Sequence, residues 1–244
     1  MSSMSPNVDS NPDLELRLKL IAAGNILDAA DQGDLTRGHV SVRVPGDPTH
    51  FYMKPHSQGL DEITAENIVV CNLEGEKVGG GGRRHSEVFI HSEVYKLRPD
   101  VMSVIHVHPT HAVALSATGK PLLPISQPSV AFMDGVEGGV PYFTDTIDLI
   151  RTPAMGLAVA RVLGAHKAAF LRNHGVVVVG ASLEESTVLS LLLEEACRIQ
   201  LLAMAAGGIG PLFSADGIAK LHHNITRPEQ YTINFEYLRR KAGR

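Results

Sequence analysis

Only two cysteines occur in 244 residues, Cys71 and Cys197. They lie far apart inside apolar, regularly patterned segments. That excludes a disulfide framework and predicts two buried free thiols in a reducing, cytoplasmic setting. No apolar run reaches the length of a membrane-spanning helix, and the N-terminus lacks the basic-then-apolar order of a secretory leader. Strong charge of either sign is missing too. The formal net charge of −4 argues against nucleic acid or an anionic membrane surface as the main partner. Internal repeats and a linker-like centre are absent, so a single domain is expected over residues 13–244. Residues 1–12, rich in Ser, Asn, Asp and Pro, read as a disordered start.

What is present fits an ordinary globular chain: 44% of residues are hydrophobic, and the mean hydropathy is +0.04, well outside the range of disordered segments. Leu14, Leu18, Ile21, Ile26 and Leu27 recur at helical spacing and predict a helix over Asp13–Ala30. Val40, Val42 and Val44 alternate with polar residues in a strand over His39–Val44. Pro45–Gly46–Asp47–Pro48 would turn that strand into a partner at Phe51–Met53. Thr64 reads as an N-cap with Asn67 at the third helical position, ahead of a strand over Ile68–Leu73. Gly79–Gly82 reads as a flexible loop, because its spacing matches neither a Walker motif nor a dinucleotide fingerprint.

Further on, a helix is expected over His85–Leu97 and a buried strand over Val101–Val107. Thr152–Pro153 announces a helix reaching Leu163. Two β-like runs, Ala168–Leu171 and Val176–Val179, flank Arg172–Asn173–His174–Gly175. A long helix runs from Leu183 to Ala206, with Ser182 as N-cap and Glu185 completing a capping box. The tail from His222 to Arg244 is polar, aromatic and basic, and is expected to reach across a neighbouring surface. Interleaved helices and strands predict a three-layer α/β/α sandwich with a central mixed, mainly antiparallel sheet.

Histidines carry the chemistry. His106 and His108 sit two apart at the end of a strand, so both imidazoles face the same side, and Pro109 leaves them at its rim. Such a pair can present two nitrogen ligands to one ion, although an isolated His-x-His also fits two unrelated histidines. His174 adds a third imidazole at a strand edge, and Glu87 begins the helix leading toward the same rim. Three neutral imidazoles with an open position make a catalytic rather than a structural metal site. His91, on the helix with Glu87 at i+4, reads as making a helix-surface or core hydrogen bond rather than binding metal, His111 as a neighbour of the ligands, and His50 and His166 as surface residues. The pair Arg83–Arg84 would suit a small acidic substrate.

With His106-x-His108, Glu87 and Arg172–Asn173–His174–Gly175 in view, the chain resembles the class II aldolase/adducin family from about Leu14 to Gly207. Ser86–Glu87 followed by His91 and Tyr95, Arg98–Pro99–Asp100–Val101 and Val140–Pro141–Tyr142 share its order and spacing. The resemblance implies a ring-like homotetramer, or a larger multiple, with active sites between subunits. It implies one Zn2+ or Mn2+ per subunit, and the three-histidine set would also admit Fe2+ or Co2+. It assigns Glu87 as acid–base residue and a tail tyrosine, Tyr231 or Tyr237, as a proton donor reaching into the adjacent subunit.

Three segments depart from the family's sugar-phosphate aldolases. Gly38–His39 replaces a Gly-Asn pair, Lys54–Pro55–His56–Ser57 replaces a Thr-Pro-Ser-Gly-like loop, and Arg84–His85–Ser86–Glu87 replaces Pro-Ser-Ser-Glu. Imidazoles and arginines there suit a planar carboxylate and resemble the family's aromatic decarboxylases. The expected function is therefore decarboxylation of an ortho-hydroxy benzene or pyridine dicarboxylate in aromatic catabolism, through an enolate. Glu87, with His85 or Tyr231, would move the proton, while His39, His56, Ser57, Arg84, Ser86 and Arg151 would bind substrate. The alternatives are an aldolase of a hydroxy-keto acid or sugar phosphate, and a non-catalytic, adducin-like assembly module.

Overall fold

The protein is seen here as a computed structural model that describes residues 11–133 and 139–243. Of the expected disordered start, residues 1–10 lie outside the described residues. Asn11 and Pro12 belong instead to the first helix, α1 (Pro12–Ala29). Asn11 caps it by accepting from the Asp13 N–H, and Pro12 fills a position whose N–H needs no partner.

One eight-stranded sheet forms the centre, in the order β4-β3-β2-β1-β5-β8-β7-β6. The strands are β1 (His39–Val44), β2 (Asp47–Met53), β3 (Val69–Asn72), β4 (Lys77–Gly80), β5 (Ser103–Val107), β6 (Tyr142–Phe143), β7 (Ala168–Leu171) and β8 (Gly175–Gly180). Every pairing is antiparallel except β6 with β7. Helices cover both faces, which is why β8 is buried at all six positions. Val176 and Val178 face one apolar cluster with α1, α3 (Thr110–Thr118), α6 (Leu183–Ala205) and α8 (Pro228–Ala242). Val177 and Val179 face another with α2 (Val88–Leu97) and α5 (Pro153–Leu163). The result is the expected α/β/α sandwich.

Several local expectations shift. Gly79 and Gly80 belong to edge strand β4, so only half of the glycine run is loop; Gly80 sits at φ +80° with no room for a Cβ against the Ile68 carbonyl. Thr64 and Asn67 do exchange side-chain-to-backbone hydrogen bonds, but they close a turn rather than start a helix. Ser182 caps α6, whereas Glu185 accepts from the Ala181 N–H and pairs with Lys167, leaving the capping box open.

The tail does not reach away. Helices α7 (Ala215–Ile225) and α8 follow α6, and α8 packs back on α6 and α1. Tyr231 and Phe235, four apart on α8, are both buried in its own core. No described helix is long and apolar enough to cross a membrane.

Candidate active site

The histidines meet because the sheet brings their strand ends together. His106 lies near the end of β5, and antiparallel pairing sets it opposite His39 at the start of β1 and Val177 of β8. His108 follows β5 on the same face. His174 comes from the tight β7–β8 turn, where Asn173 adopts φ 62°, a left-handed conformation that asparagine tolerates better than most residues. Gly175 closes this turn beneath the rings. A Cβ there would stand 2.5 Å from His108 Cδ2 and 2.6 Å from the Val107 carbonyl.

One nitrogen each of His106, His108 and His174 lies within 4.8 Å of the others. His106 Nδ1 donates to the Val176 carbonyl at 3.0 Å, so its Nε2 carries the lone pair, and that atom stands 3.0 Å from His108 Nε2. Burial pushes all three pKa values below the ordinary imidazole range, that of His108 to about 4, with mutual repulsion adding to it at His106 and His108. The ligands are thus neutral at pH 7. Without an ion His108 Nε2–H can donate to that His106 lone pair; with the proton on the other nitrogen, the three neutral imidazoles can turn their lone pairs to one divalent cation.

Glu87 sits just before α2, at its N-cap position and 2% exposed, without capping the helix. Its Oε1 accepts from the Ile150 N–H at 2.9 Å and faces His174 Nε2 at 3.8 Å. Burial raises its pKa, against the lowering effects of that N–H and of Arg151. A carboxyl held in this way can carry a proton nearer neutrality than a free glutamate.

The expected substrate residues separate into two groups. His56, Ser57, Arg84, Ser86 and Arg151 are exposed or half-buried. His56 contacts Arg83 Nη2 at 3.0 Å and shares a hydrogen bond with Ser57. His39 and His85 are buried, His39 completely. Burial first, then neighbouring cations and imidazoles, lowers the His85 pKa to about 3, so it stays neutral.

Tyr231 is 5% exposed within its own chain's core, and it borders a cavity lined also by Ala181, Ser182 and Glu184. Those residues follow the C-terminal end of β8, whereas His174 precedes its N-terminal end. Six strand residues, roughly 20 Å, separate the two ends. Tyr231 therefore stands far from its own chain's histidine cluster, while Tyr237 is 55% exposed. His111 also points elsewhere, to Glu194 on α6 at 2.6 Å.

His91 lies buried against His39 and Ser41, a core hydrogen bond of the kind expected for it. The sequence reading missed two participants. Asp34 Oδ2 faces His108 Nδ1 at 3.8 Å. Lys54 is wholly buried, donating to the Thr36 and Pro55 carbonyls, with its pKa lowered by burial to about 8. A lone charge ending the apolar run Phe51–Tyr52–Met53 was the signal available for Lys54.

A sandwich of this topology with a three-histidine rim and an adjoining glutamate defines a class of α/β proteins able to hold a metal ion at one sheet edge. Residues 18–201 match the family "Class II Aldolase and Adducin N-terminal domain", and the chain belongs to that family. It is similar to Decarboxylase NovR of Streptomyces niveus, 34% identical over 179 residues that cover 72% of this chain and 64% of that protein. It is also similar to human Gamma-adducin, 34% identical over 206 residues that cover 82% of this chain but only 28% of the adducin. Among solved structures, an L-fuculose 1-phosphate aldolase from Glaciozyma antarctica superposes with a TM-score of 0.83 at 28% identity, over 98% of this chain and 93% of that one.

Proposed function

We propose that this protein is a metal-dependent carbon–carbon lyase that cleaves an aldol, of hydroxy-keto acid or sugar-phosphate type. The observation that carries this reading is the set of three neutral imidazoles with a buried carboxyl 3.8 Å from one of them. His106, His108 and His174 would hold one divalent ion, Zn2+ or Mn2+ first, which supplies Lewis-acid stabilisation of the oxygen that takes up charge as the bond breaks. Glu87 takes the hydroxyl proton during cleavage and returns it to carbon, a role its burial-raised pKa suits. Arg84 and the His56–Arg83 pair bind the anionic end of the substrate, and Arg151 lies in electrostatic reach of Glu87.

The likeness of nearly the whole chain to an aldolase structure supports this choice. A second reading, decarboxylation of an ortho-hydroxy aromatic dicarboxylate, is favoured by the imidazole and arginine groups at the rim and by the 34% identity to a decarboxylase. Assembly as a homotetramer in the cytoplasm completes the proposal, with Tyr237 as the tail tyrosine available to a partner subunit. A purely structural, adducin-like role would not require the three imidazoles, and all of them are retained.

Product analysis separates the readings. Metal-loaded protein is incubated with hydroxy-keto acids, sugar phosphates and ortho-hydroxy aromatic dicarboxylates, and carbonyl products and CO2 are measured. Carbonyl release is expected, together with a turnover loss of about 100-fold or more in Glu87→Gln at unchanged metal content. CO2 from the aromatic acids alone would replace the aldol reading with the second one, and unchanged turnover in the variant would remove Glu87 from the mechanism.

A further inference from the structure

His108 turns one ring nitrogen into the cluster and the other away from it. Its Nε2 lies 3.0 Å from His106 Nε2. Its Nδ1 is buried and has no hydrogen-bond partner. Asp34 Oδ2 faces that atom at 3.8 Å, beyond hydrogen-bond range.

The loop between α1 and β1 carries Asp34 to this place. The Gln32 N–H donates to the Leu27 carbonyl at 2.9 Å, and the Gln32 carbonyl accepts from the His108 main-chain N–H at 3.3 Å. Asp31 and Leu35, on either side of Asp34, both take left-handed conformations, at φ 52° and 54°. For a leucine that conformation is costly, and such strain persists only where the surroundings fix the chain. The Asp34 carboxylate also holds Arg37, whose Nη2 lies 3.1 Å from Oδ1 and 2.9 Å from Oδ2.

The proton on His108 decides what Asp34 can do. On Nε2 it is donated to the His106 lone pair, and a bare Nδ1 lone pair then faces the carboxylate, so two acceptors oppose each other. An ion held between His106 and His108 takes the Nε2 lone pair instead. The proton then leaves Nε2 and one is regained at Nδ1, so the ring stays neutral, and the buried Nδ1–H needs an acceptor. Metal-binding imidazoles ordinarily give that second N–H to a carboxylate or a carbonyl, as His106 gives its own to Val176. We propose that Asp34 is a positioning residue of the metal centre: its Oδ2 accepts the His108 Nδ1–H in the loaded protein, closing the gap by about 1 Å, while Oδ1 stays with Arg37. The inference rests on the metal site proposed above and not on the reaction assigned to it.

Chelator competition on the full chain measures Zn2+ affinity in the wild type, Asp34→Ala, Asp34→Asn and Arg37→Ala. Asp34→Ala is expected to weaken binding by about tenfold or more. Asp34→Asn, which keeps an acceptor oxygen without the charge, loses less. Arg37→Ala removes the ion pair but not the acceptor, and keeps wild-type affinity. Nitrogen-15 NMR of histidine-labelled protein gives a second readout. His108 carries its proton on Nε2 without Zn2+ and on Nδ1 with it, the latter shifted downfield by a carboxylate acceptor. Wild-type affinity in Asp34→Ala would overturn the proposal, as would an equal loss in Arg37→Ala or a loaded His108 still protonated on Nε2. If the Asp34 variants do not fold, the wild-type NMR alone decides. A chain that binds no Zn2+ overturns the metal site and this inference with it. The expected losses in a protein that cleaves no substrate overturn only the lyase reading.

Discussion

His39, His85, His91 and His106 are all buried beside one another, and none has a carboxylate within hydrogen-bond distance. Burial is the first cause of each lowered pKa, with His85 and His91 brought to about 3. In the unfolded chain these imidazoles return to about 6.5. Below that pH the unfolded state binds more protons than the native state, so their stabilising contribution is present above pH 6.5 and lost as pH falls toward 3. Glu87 works in the opposite sense. Its raised pKa favours the fold at low pH and opposes it as pH rises, but it is one group against four. Metal-free protein is therefore expected to melt at a lower temperature at pH 5 than at pH 7.5, by calorimetry. Each neutral histidine contributes about 1.4 kcal/mol per pH unit in that window. A melting temperature that holds or rises on acidification would contradict this assignment of neutral imidazoles.

Between the residue and the domain stand the strand ends and turns that place the ligands. Gly175 shows how closely they are fitted, since its missing side chain is the space that the His108 ring occupies. Gly175→Ala is expected to weaken metal binding by about tenfold or more and to cost about 1–3 kcal/mol in stability, read by chelator competition and thermal melting. Unchanged affinity would show that the turn does not set the ligand geometry. At this scale the sequence was only partly readable. His106 and His108 could be paired because a strand has a period of two, and His174 because a glycine-bearing turn puts it at a strand edge. The resemblance put His39 at the site, but its contact with His106 was hidden, because it depends on β1 lying beside β5, a neighbour relation that no local pattern encodes. What the polar tail packs against was hidden for a similar reason. Tyr231 and Phe235 share one helix face at i,i+4 spacing, but what that face packs against, α6 and α1, is far away in sequence.

Across the whole molecule, both sheet faces are covered by helices, and the chemistry is confined to one rim where β1, β5 and β8 begin or end. That division explains why the fold class and the three-histidine cluster could be read from residue patterns, while neighbours supplied by distant strands could not. At that rim Arg83 is exposed, while Arg84 and His56 are half-buried. The central claim is that His106, His108 and His174 form a metal centre on this family's frame. Elemental analysis of protein purified without chelator, wild type beside His106→Ala, tests it most directly. About one divalent ion per chain is expected in the wild type, with loss of the ion in a folded variant. A wild type free of bound metal after loading, or a variant that holds it at full stoichiometry, would contradict the account.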